Sequence, residues 1–241
     1  MSLYAGRLSG ARRSLYGERC RVVRSDRERC LSKGILVTGI HAYEVGIAPG
    51  VYRVVAPLIK ARVTSDPVLD VGCGGGRLTI DLAQVLKRTV VGLDLAVLQV
   101  RRLARHAGRS RAVAAVRASA EQLPFPDRCF GAVISSCALK HWADPRRGVR
   151  ECARVARVGG TVVTAEVDGA ATTPEMRAFA RLTRLPVGLR EAYVRFAMRT
   201  VVEVAPSRDG LLELVRDAEL AGPSVDKVDG LPFLVAVGTA R

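Results

Sequence analysis

A run of glycines between two apolar segments carries the clearest chemistry in this sequence. It is Val68-Leu69-Asp70-Val71-Gly72-Cys73-Gly74-Gly75-Gly76-Arg77-Leu78-Thr79. Glycines between a buried strand and a helix let the backbone approach a ligand closely and present free N–H groups at the helix N-terminus. A dinucleotide fingerprint starting at Gly72 requires glycine at position 77, which is arginine, whereas D-x-G-x-G-x-G is matched in full. The Asp70 carboxylate would repel a pyrophosphate but suits a ligand with an ammonium group.

A second carboxylate, Asp94, ends the next apolar segment, Val90-Val91-Gly92-Leu93. At the end of a parallel strand a carboxylate can accept hydrogen bonds from both hydroxyls of a ribose lying across the strand ends. The alternative is that Asp94 only caps the following helix. Its place after the glycine loop favours a nucleoside ligand.

Short apolar strands alternate with amphipathic helices along most of the chain. This alternation predicts an α/β fold, a doubly wound, mostly parallel seven-stranded sheet of the Rossmann-like kind with an antiparallel last strand. The predicted strands are 68–71, 90–93, 112–116, 132–135, 161–166, 225–228 and 233–237. The predicted helices are 45–62, 78–86, 96–106, 145–155 and 209–220, the last with Ser207 as its N-cap.

Two segments interrupt or precede this alternation. Residues 170–206 predict a helical lid inserted after the fifth strand, with arginines, methionines and aromatic residues interspersed. Residues 1–38 predict a basic, flexible N-terminal arm, and 39–241 a single domain. The alternatives for the arm are a leader without a role and, less well matched, a transit peptide.

Later segments complete a resemblance to a known family. Residues 119–127 (SAEQLPFPD) are similar to the D-A-E-x-L-P-F segment before the fourth strand of that family. Residues 130–136 (FGAVISS) resemble its fourth strand, 137–142 (CALKHW) the loop after it, and 155–160 (VARVGG) its L-K-P-G-G turn. Together with the glycine loop and Asp94, these segments resemble class I S-adenosylmethionine-dependent methyltransferases of the type 11 branch, over about residues 39–241.

The resemblance implies S-adenosyl-L-methionine as the cofactor and a set of residues that bind it. They are Asp70, Gly72, Cys73, Gly74, Gly76, Asp94, Leu95, Ser119, Ala120, Glu121 and Ser135. The glycine loop would hold the methionine part, Asp94 the ribose, and Ser119 with Ala120 the adenine edge. Ser119 stands where the family usually has an acid, which either weakens cofactor binding or leaves that role to Glu121. Val158 replaces the usual proline of the turn, and Lys140 a common histidine.

A sulfonium methyl group is already activated, so such an enzyme mainly aligns the acceptor with the methyl carbon and excludes water. A hydroxyl or phenol acceptor would benefit from a general base, and His141 after the fourth strand is the tentative catalytic candidate. The alternative is that His141 and Trp142 only close the cofactor pocket.

Acceptor choice is expected to come from the lid and from the segment around His41, Tyr43 and Tyr52. Such a lid suits a small-molecule or lipid-like acceptor enclosed from water. Two alternatives stay open. One is an RNA methyltransferase that uses the arginine-rich arm as a phosphate tether. The other is a cofactor-binding regulator that transfers no methyl group.

The basic excess bears on the acceptor alone. The 241 residues carry 38 Lys and Arg against 23 Asp and Glu, a net charge of +15. Residues 1–34 contribute nine basic and three acidic residues, and the remaining +9 is expected to be spread over the domain. A polyanionic partner or mutational bias toward arginine codons would each produce such an excess.

The sequence gives no indication of a metal or of a membrane-spanning helix. The six cysteines include no C-x-x-C pair, and a cluster of Cys20, Cys30 and His41 is short of ligands for zinc. No stretch approaches the roughly 18 apolar residues of a membrane helix, so integral membrane association is not expected. Without a secretory signal, we expect free thiols and a cytoplasmic location.

Overall fold

A computed structural model of the chain describes residues 43–241, with seven strands in one sheet. The strands are β1 (Val68–Val71), β2 (Val90–Asp94), β3 (Val113–Arg117), β4 (Phe130–Ser136), β5 (Ala156–Val167), β6 (Ala221–Lys227) and β7 (Phe233–Thr239). Their order is β3-β2-β1-β4-β5-β7-β6. All adjacent pairs from β3 to β5 are parallel, and β7 runs antiparallel to both β5 and β6. The predicted α/β class, with its antiparallel last strand, is confirmed.

Seven α-helices pack on the two faces of this sheet in the described part of the chain. They are α1 (Ala48–Lys60), α2 (Arg77–Val85), α3 (Val97–Ala107), α4 (Pro145–Val155), α5 (Thr173–Leu182), α6 (Val187–Ala197) and α7 (Arg208–Asp217). Two hydrophobic clusters hold the helices to the sheet. One contains side chains of α1, α2, α5 and α6, and the other contains side chains of α4 and α7. None of the helices in residues 43–241 is both long enough and apolar enough to cross a bilayer.

Local signals set several helix ends. Asp144 accepts a hydrogen bond from Arg147 N at 3.0 Å, directly before Pro145 at the first position of α4. Ser207 accepts one from Gly210 N at 3.1 Å and begins α7, as predicted. Both side chains satisfy N–H groups that have no partner within the helix.

β5 and β6 begin well before their predicted first residues, because other strands supply partners there. β5 begins at Ala156, inside the predicted turn, where Ala156 pairs with Phe130 of β4. Gly159 N donates to Ala240 O and Ala240 N donates to Gly160 O, both at 2.9 Å, just beyond the end of β7. β6 begins at Ala221 because Ala221 pairs with Thr239. The extra residues are held by hydrogen bonds to a strand that is distant in sequence, which a local pattern does not record.

The segment between β5 and α7 is helical, as expected. It contains α5, α6 and a π-helical turn at Met198–Val202. The π-helical turn before α1, Tyr43–Ile47, contacts the α5–α6 connection, where Arg184 N donates to Gly46 O at 2.8 Å. The boundaries of the lid at 170–206 and of the domain at 39 stay predictions, and the predicted arm lies outside the described residues.

Candidate active site

The glycine loop between β1 and α2 has a backbone that only glycine adopts easily. Gly72, Gly74 and Gly76 have φ values of 76°, 54° and 82°, in the left-handed region. A Cβ on Gly72 would lie 2.5 Å from the Ala138 Cβ, so the loop also passes too close to the chain after β4 for a side chain. The N–H groups of Gly72 and Cys73 donate to Leu93 O at 2.8 and 3.0 Å, which holds the loop against the end of β2.

Asp94 lies directly across this loop. Its Oδ2 accepts a hydrogen bond from Gly74 N at 3.0 Å, and its Oδ1 accepts one from Ala96 N at 2.8 Å. The second bond closes a turn before α3 and does not cap the helix, because the N-cap residue is Ala96, without a side-chain cap hydrogen bond. Leu95 follows with 57% of its side chain exposed at the same edge. The structure therefore brings Asp94, Leu95 and the loop together.

Asp70 supports the loop from beneath rather than facing solvent. It is 1% exposed, and its Oδ2 accepts a hydrogen bond from Thr79 Oγ1 at 2.6 Å. Burial, and to a smaller extent the charge of Asp94, raises the pKa of Asp70 to about 7. Burial also raises the pKa of the Cys73 thiol well above its usual value, so Cys73 stays a neutral thiol.

Ser119 and Glu121 form one polar unit before β4. The Ser119 hydroxyl donates to the Glu121 carboxylate, and Glu121 Oε1 accepts a hydrogen bond from Ala143 N at 2.7 Å. Ala120 between them is 7% exposed and packs in the core. The Glu121 carboxylate thus ties the segment before β4 to the loop after it, and its charge lies beside Ser119.

Ser135 is a predicted site residue whose side chain is buried in the core. It is 2% exposed, and its hydroxyl has no hydrogen-bond partner among the described residues; the same holds for the hydroxyl of Thr164, its cross-strand neighbour. Both line a closed cavity of about 10 Å³ whose other walls are apolar side chains of the sheet, α4, α7 and the loop after β4. The Ser135 hydroxyl points between β4 and the helices rather than at the open end of the strand.

The loop after β4 carries His141 and Trp142. His141 ends a short 3₁₀ turn and is exposed, with no side-chain hydrogen bond in the described chain. Partial burial of its ring, followed by the positive charge of Lys140, lowers the pKa of His141 from the usual 6.5, so at neutral pH the imidazole is uncharged. Trp142 packs on Gly148, and its indole nitrogen lies near Gly72.

Glu166 positions this loop, and the sequence analysis missed it. The side chain is 1% exposed at the end of β5, and its Oε1 accepts hydrogen bonds from Ala138 N at 2.9 Å and Leu139 N at 3.0 Å. Burial raises the pKa of Glu166, and Lys140 opposes that shift. The available signal was the same as for Asp94, an acid at the end of an apolar strand.

The ring of Tyr52 contacts two cations, whereas the sequence placed Tyr52 in a segment expected to select the acceptor. The guanidinium of Arg77, the first residue of α2, lies 5.8 Å from the centroid of the Tyr52 ring, and the Lys60 ammonium lies 5.7 Å from it. Lys60 also pairs with Asp81. Tyr52 therefore joins α1 to the helix that begins at the glycine loop. Tyr43 is 40% exposed before α1, and His41 lies outside the described residues.

Sequence comparison identifies the same region. Residues 69–164 match the sequence model of a family described as a methyltransferase domain. Residues 69–164 thus form a methyltransferase domain of the class I S-adenosylmethionine-dependent type, in the type 11 branch. S-adenosylmethionine is the cofactor of this family.

The curated relatives are methyltransferases of several kinds. The chain is 38% identical over 117 residues to a demethylmenaquinone methyltransferase of Mycobacterium sp. (strain JLS), covering 48% of this chain and 46% of that protein. It is 30% identical over 164 residues to the ubiquinone biosynthesis O-methyltransferase of Rhizobium rhizogenes, covering 66% of this chain and 65% of that one. The chain thus spans about half to two thirds of the length of these two relatives.

Solved structures share the fold at low sequence identity. A putative S-adenosylmethionine-dependent methyltransferase of Methanococcus maripaludis has a TM-score of 0.64 at 16% identity, covering 91% of this chain and 98% of that one. Phosphoethanolamine N-methyltransferase 2 of Haemonchus contortus, in complex with S-adenosyl-L-methionine, has a TM-score of 0.65 at 18% identity. The match covers 91% of this chain and 61% of that one. These likenesses concern the fold alone.

Proposed function

We propose that the chain transfers the methyl group of S-adenosylmethionine to a small, apolar acceptor of the hydroquinone or phenol type. The observation that carries the proposal is the contact of Asp94 with Gly74, where a carboxylate at the end of β2 meets a glycine loop at the end of β1. A nucleoside binds at this place in open α/β sheets. The proposal includes catalysis, which a regulator that only binds the cofactor would lack.

The residues at this edge fit the parts of the cofactor. The loop Gly72–Gly76 would hold the methionine part, with Asp70 and Cys73 buried behind it. Asp94 would accept hydrogen bonds from the ribose, and the exposed Leu95 would pack against the adenine. Ser119, Ala120 and Glu121 would face the adenine edge, and Glu121 supplies the negative charge that Ser119 lacks. When bound, the cofactor supplies the activated methyl group.

The helices α5 and α6 and two of the curated relatives support this acceptor class. The apolar sides of α5 and α6 pack on the core, where Phe179 lies edge-on to Phe233 with ring centroids 5.0 Å apart. A helical cover that excludes water suits an apolar acceptor. The mycobacterial and rhizobial relatives are named for quinone methylation, which supports the same class.

His141 is the proposed general base for a hydroxyl acceptor. Its lowered pKa keeps the imidazole able to accept a proton at neutral pH, and its side chain has no partner in the described chain that would compete. Replacing His141 by Ala should lower kcat on a phenolic acceptor by about 10²-fold or more with cofactor affinity retained. An unchanged kcat would leave His141 only the role of closing the pocket.

Calorimetric titration with S-adenosylmethionine tests the cofactor site. The Asp94→Ala variant should bind at least tenfold more weakly than the parent chain, because a hydrogen bond to a carboxylate contributes about 1.5–3 kcal/mol. The matched control is Asp226→Ala, which removes an exposed carboxylate from β6. Equal affinity in all three proteins would overturn the site.

An acceptor screen with labelled cofactor tests the reaction. We expect labelled methyl groups on hydroquinones or phenols with aliphatic tails and none on total RNA. Label on RNA alone would favour an RNA methyltransferase. Tight cofactor binding with no label on any acceptor would favour a regulator.

A further inference from the structure

The basic excess of the described chain is concentrated rather than spread, contrary to the expectation from the sequence. Residues 43–241 contain 29 basic and 20 acidic residues, a net charge of +9. The stretch 87–117 alone has eight basic residues and one acid, Asp94, a net charge of +7. This stretch contains β2, the helix α3 and the edge strand β3, and it lies at one end of the sheet.

Five arginines on α3, on the connection after it and at the end of the edge strand have no acidic partner among residues 43–241. They are Arg101, Arg105, Arg109, Arg111 and Arg117, which we call the basic face. All are exposed, and none forms an ion pair with a carboxylate of residues 43–241. Some arginines elsewhere do have acidic partners. Arg146 pairs with Glu213 and Asp217, and Arg177 with Glu191.

An apolar tip continues the basic face toward the active site. Leu95, Val97 and Leu98 are 57%, 39% and 49% exposed at the start of α3. Helical spacing places Val97, Leu98, Arg101 and Arg105 on one side of α3, away from the fully buried Leu103. Arg117 returns to the same edge, where its Nε donates to Leu95 O at 3.1 Å. Leu95 directly follows Asp94, so the tip adjoins the proposed cofactor site.

We infer that the basic face and its apolar tip dock on the surface of an anionic phospholipid bilayer. Arginines attract the negative headgroups, and exposed aliphatic side chains beside them bury in the interface between headgroups and acyl chains. Residues 1–42 do not supply the complementary charge, because they contain nine basic and three acidic residues.

The composition of the surface favours a bilayer over a nucleic acid. Residues 87–117 contain no Phe, Tyr or Trp, whereas single-stranded nucleic acids bind to basic grooves with aromatic side chains on which the bases stack. Aliphatic side chains gain little against a phosphate backbone but gain their burial energy in lipid. Docking in this orientation would place the edge with Asp94 at the bilayer, where apolar acceptors dissolve. The inference itself does not depend on which acceptor is methylated.

Sedimentation with vesicles tests the inference on the full chain. We expect binding to vesicles of phosphatidylcholine with about one quarter phosphatidylserine, and none to pure phosphatidylcholine. The variant R101E/R105E/R109E should bind the mixed vesicles on the order of a hundredfold more weakly or worse, since each basic residue near such a surface contributes roughly fivefold. The control R147E/R150E/R216E changes the same number of exposed arginines on α4 and α7 and should bind like the parent.

A second variant separates a bilayer from a polyanion. V97S/L98S keeps every charge and should weaken vesicle binding several-fold while leaving the binding of single-stranded RNA unchanged. Equal vesicle binding by the parent and R101E/R105E/R109E would overturn the inference. So would RNA binding lost in R101E/R105E/R109E together with vesicle binding unaffected by V97S/L98S. Calorimetry with S-adenosylmethionine on each variant shows that the fold is intact, and it reports on the proposed function separately.

Discussion

At the scale of single residues, Asp70 links the active site to pH. Its pKa is raised from 3.8 to about 7 by burial, so the folded chain holds a proton that the unfolded chain releases at lower pH. The free energy of unfolding should therefore fall as the pH rises from about 4 to 7, by up to roughly 1.4 kcal/mol per pH unit. Urea unfolding across this range measures the slope.

The Asp70→Asn variant should lose the part of this slope that Asp70 contributes, keep the part that the buried Glu166 contributes, and be more stable than the parent at pH 8. Its amide oxygen can still accept the hydrogen bond from Thr79. Asp229→Asn, which neutralises an exposed carboxylate, should show the pH profile of the parent. If the parent and Asp70→Asn have parallel profiles, the buried proton is not on Asp70.

A side chain at Gly72 would be opposed both by the backbone conformation and by a close contact, whereas at Gly230 only the backbone conformation opposes it. The φ of Gly72 is +76°, and a Cβ would also meet the Cβ of Ala138. Gly230 has a φ of +65° but nothing within 4 Å of its Cβ position. Gly230→Ala should cost about 1–2 kcal/mol of stability from backbone strain alone, and Gly72→Ala roughly 1–3 kcal/mol more from overpacking. Chemical unfolding of both variants gives the difference, and equal losses would show that the contact with Ala138 relaxes freely.

At the scale of elements, one lysine on β6 joins the lid to the sheet. Lys227 Nζ lies 2.8 Å from Asp168 after β5 and 2.8 Å from Glu175 in the first turn of α5. Asp168 is 3% exposed, so removing Lys227 leaves a buried carboxylate without its cation. Lys227→Met should lower the free energy of unfolding by roughly 1–3 kcal/mol, because Lys227 itself is about a third exposed.

An ion pair at the neighbouring residue of β6 provides the control. Arg62, which follows α1, lies 3.4 Å from Asp226, and Asp226 is 63% exposed where Asp168 is buried, so Arg62→Met should cost less than about 1 kcal/mol. Hydrogen exchange should show faster opening of α5 in Lys227→Met and not in Arg62→Met. Unchanged exchange in α5 would mean that apolar packing alone holds the lid.

The elements that local sequence determines were predicted most accurately. β1 and α4 have the predicted boundaries, because an apolar run and a Pro after a capping Asp are both local signals. β5 starts early because Ala156 pairs with Phe130 of β4, and β6 starts early because Ala221 pairs with Thr239 of β7. In the site, the glycine loop and Asp94 followed from spacing. The function of Glu166 did not, since it depends on the loop after β4 folding back onto the end of β5.

At the scale of the whole molecule, the uneven charge should limit stability at low salt. Seven of the nine net positive charges of residues 43–241 lie in residues 87–117. Charges one helical turn apart, such as Arg101 and Arg105, lie within the Debye length of about 10 Å at 0.1 M salt, so salt screens their repulsion only in part. The melting temperature should therefore rise as salt is increased from low to moderate concentration. R101E/R105E/R109E should melt about 2–4 °C higher than the parent in low salt and depend less on salt, if the relieved repulsion is about 1 kcal/mol.

The reversal R147E/R150E/R216E distinguishes local crowding from net charge. It lowers the net charge by the same amount, but α4 and α7 also carry acids such as Glu151, Glu213 and Asp217. Removing arginines among these acids exchanges attraction for repulsion, so this variant should melt below the parent in low salt. Calorimetric melting at several salt concentrations compares the three proteins. Equal upward shifts in both variants would show that total charge, rather than the crowded end of the sheet, sets the salt response.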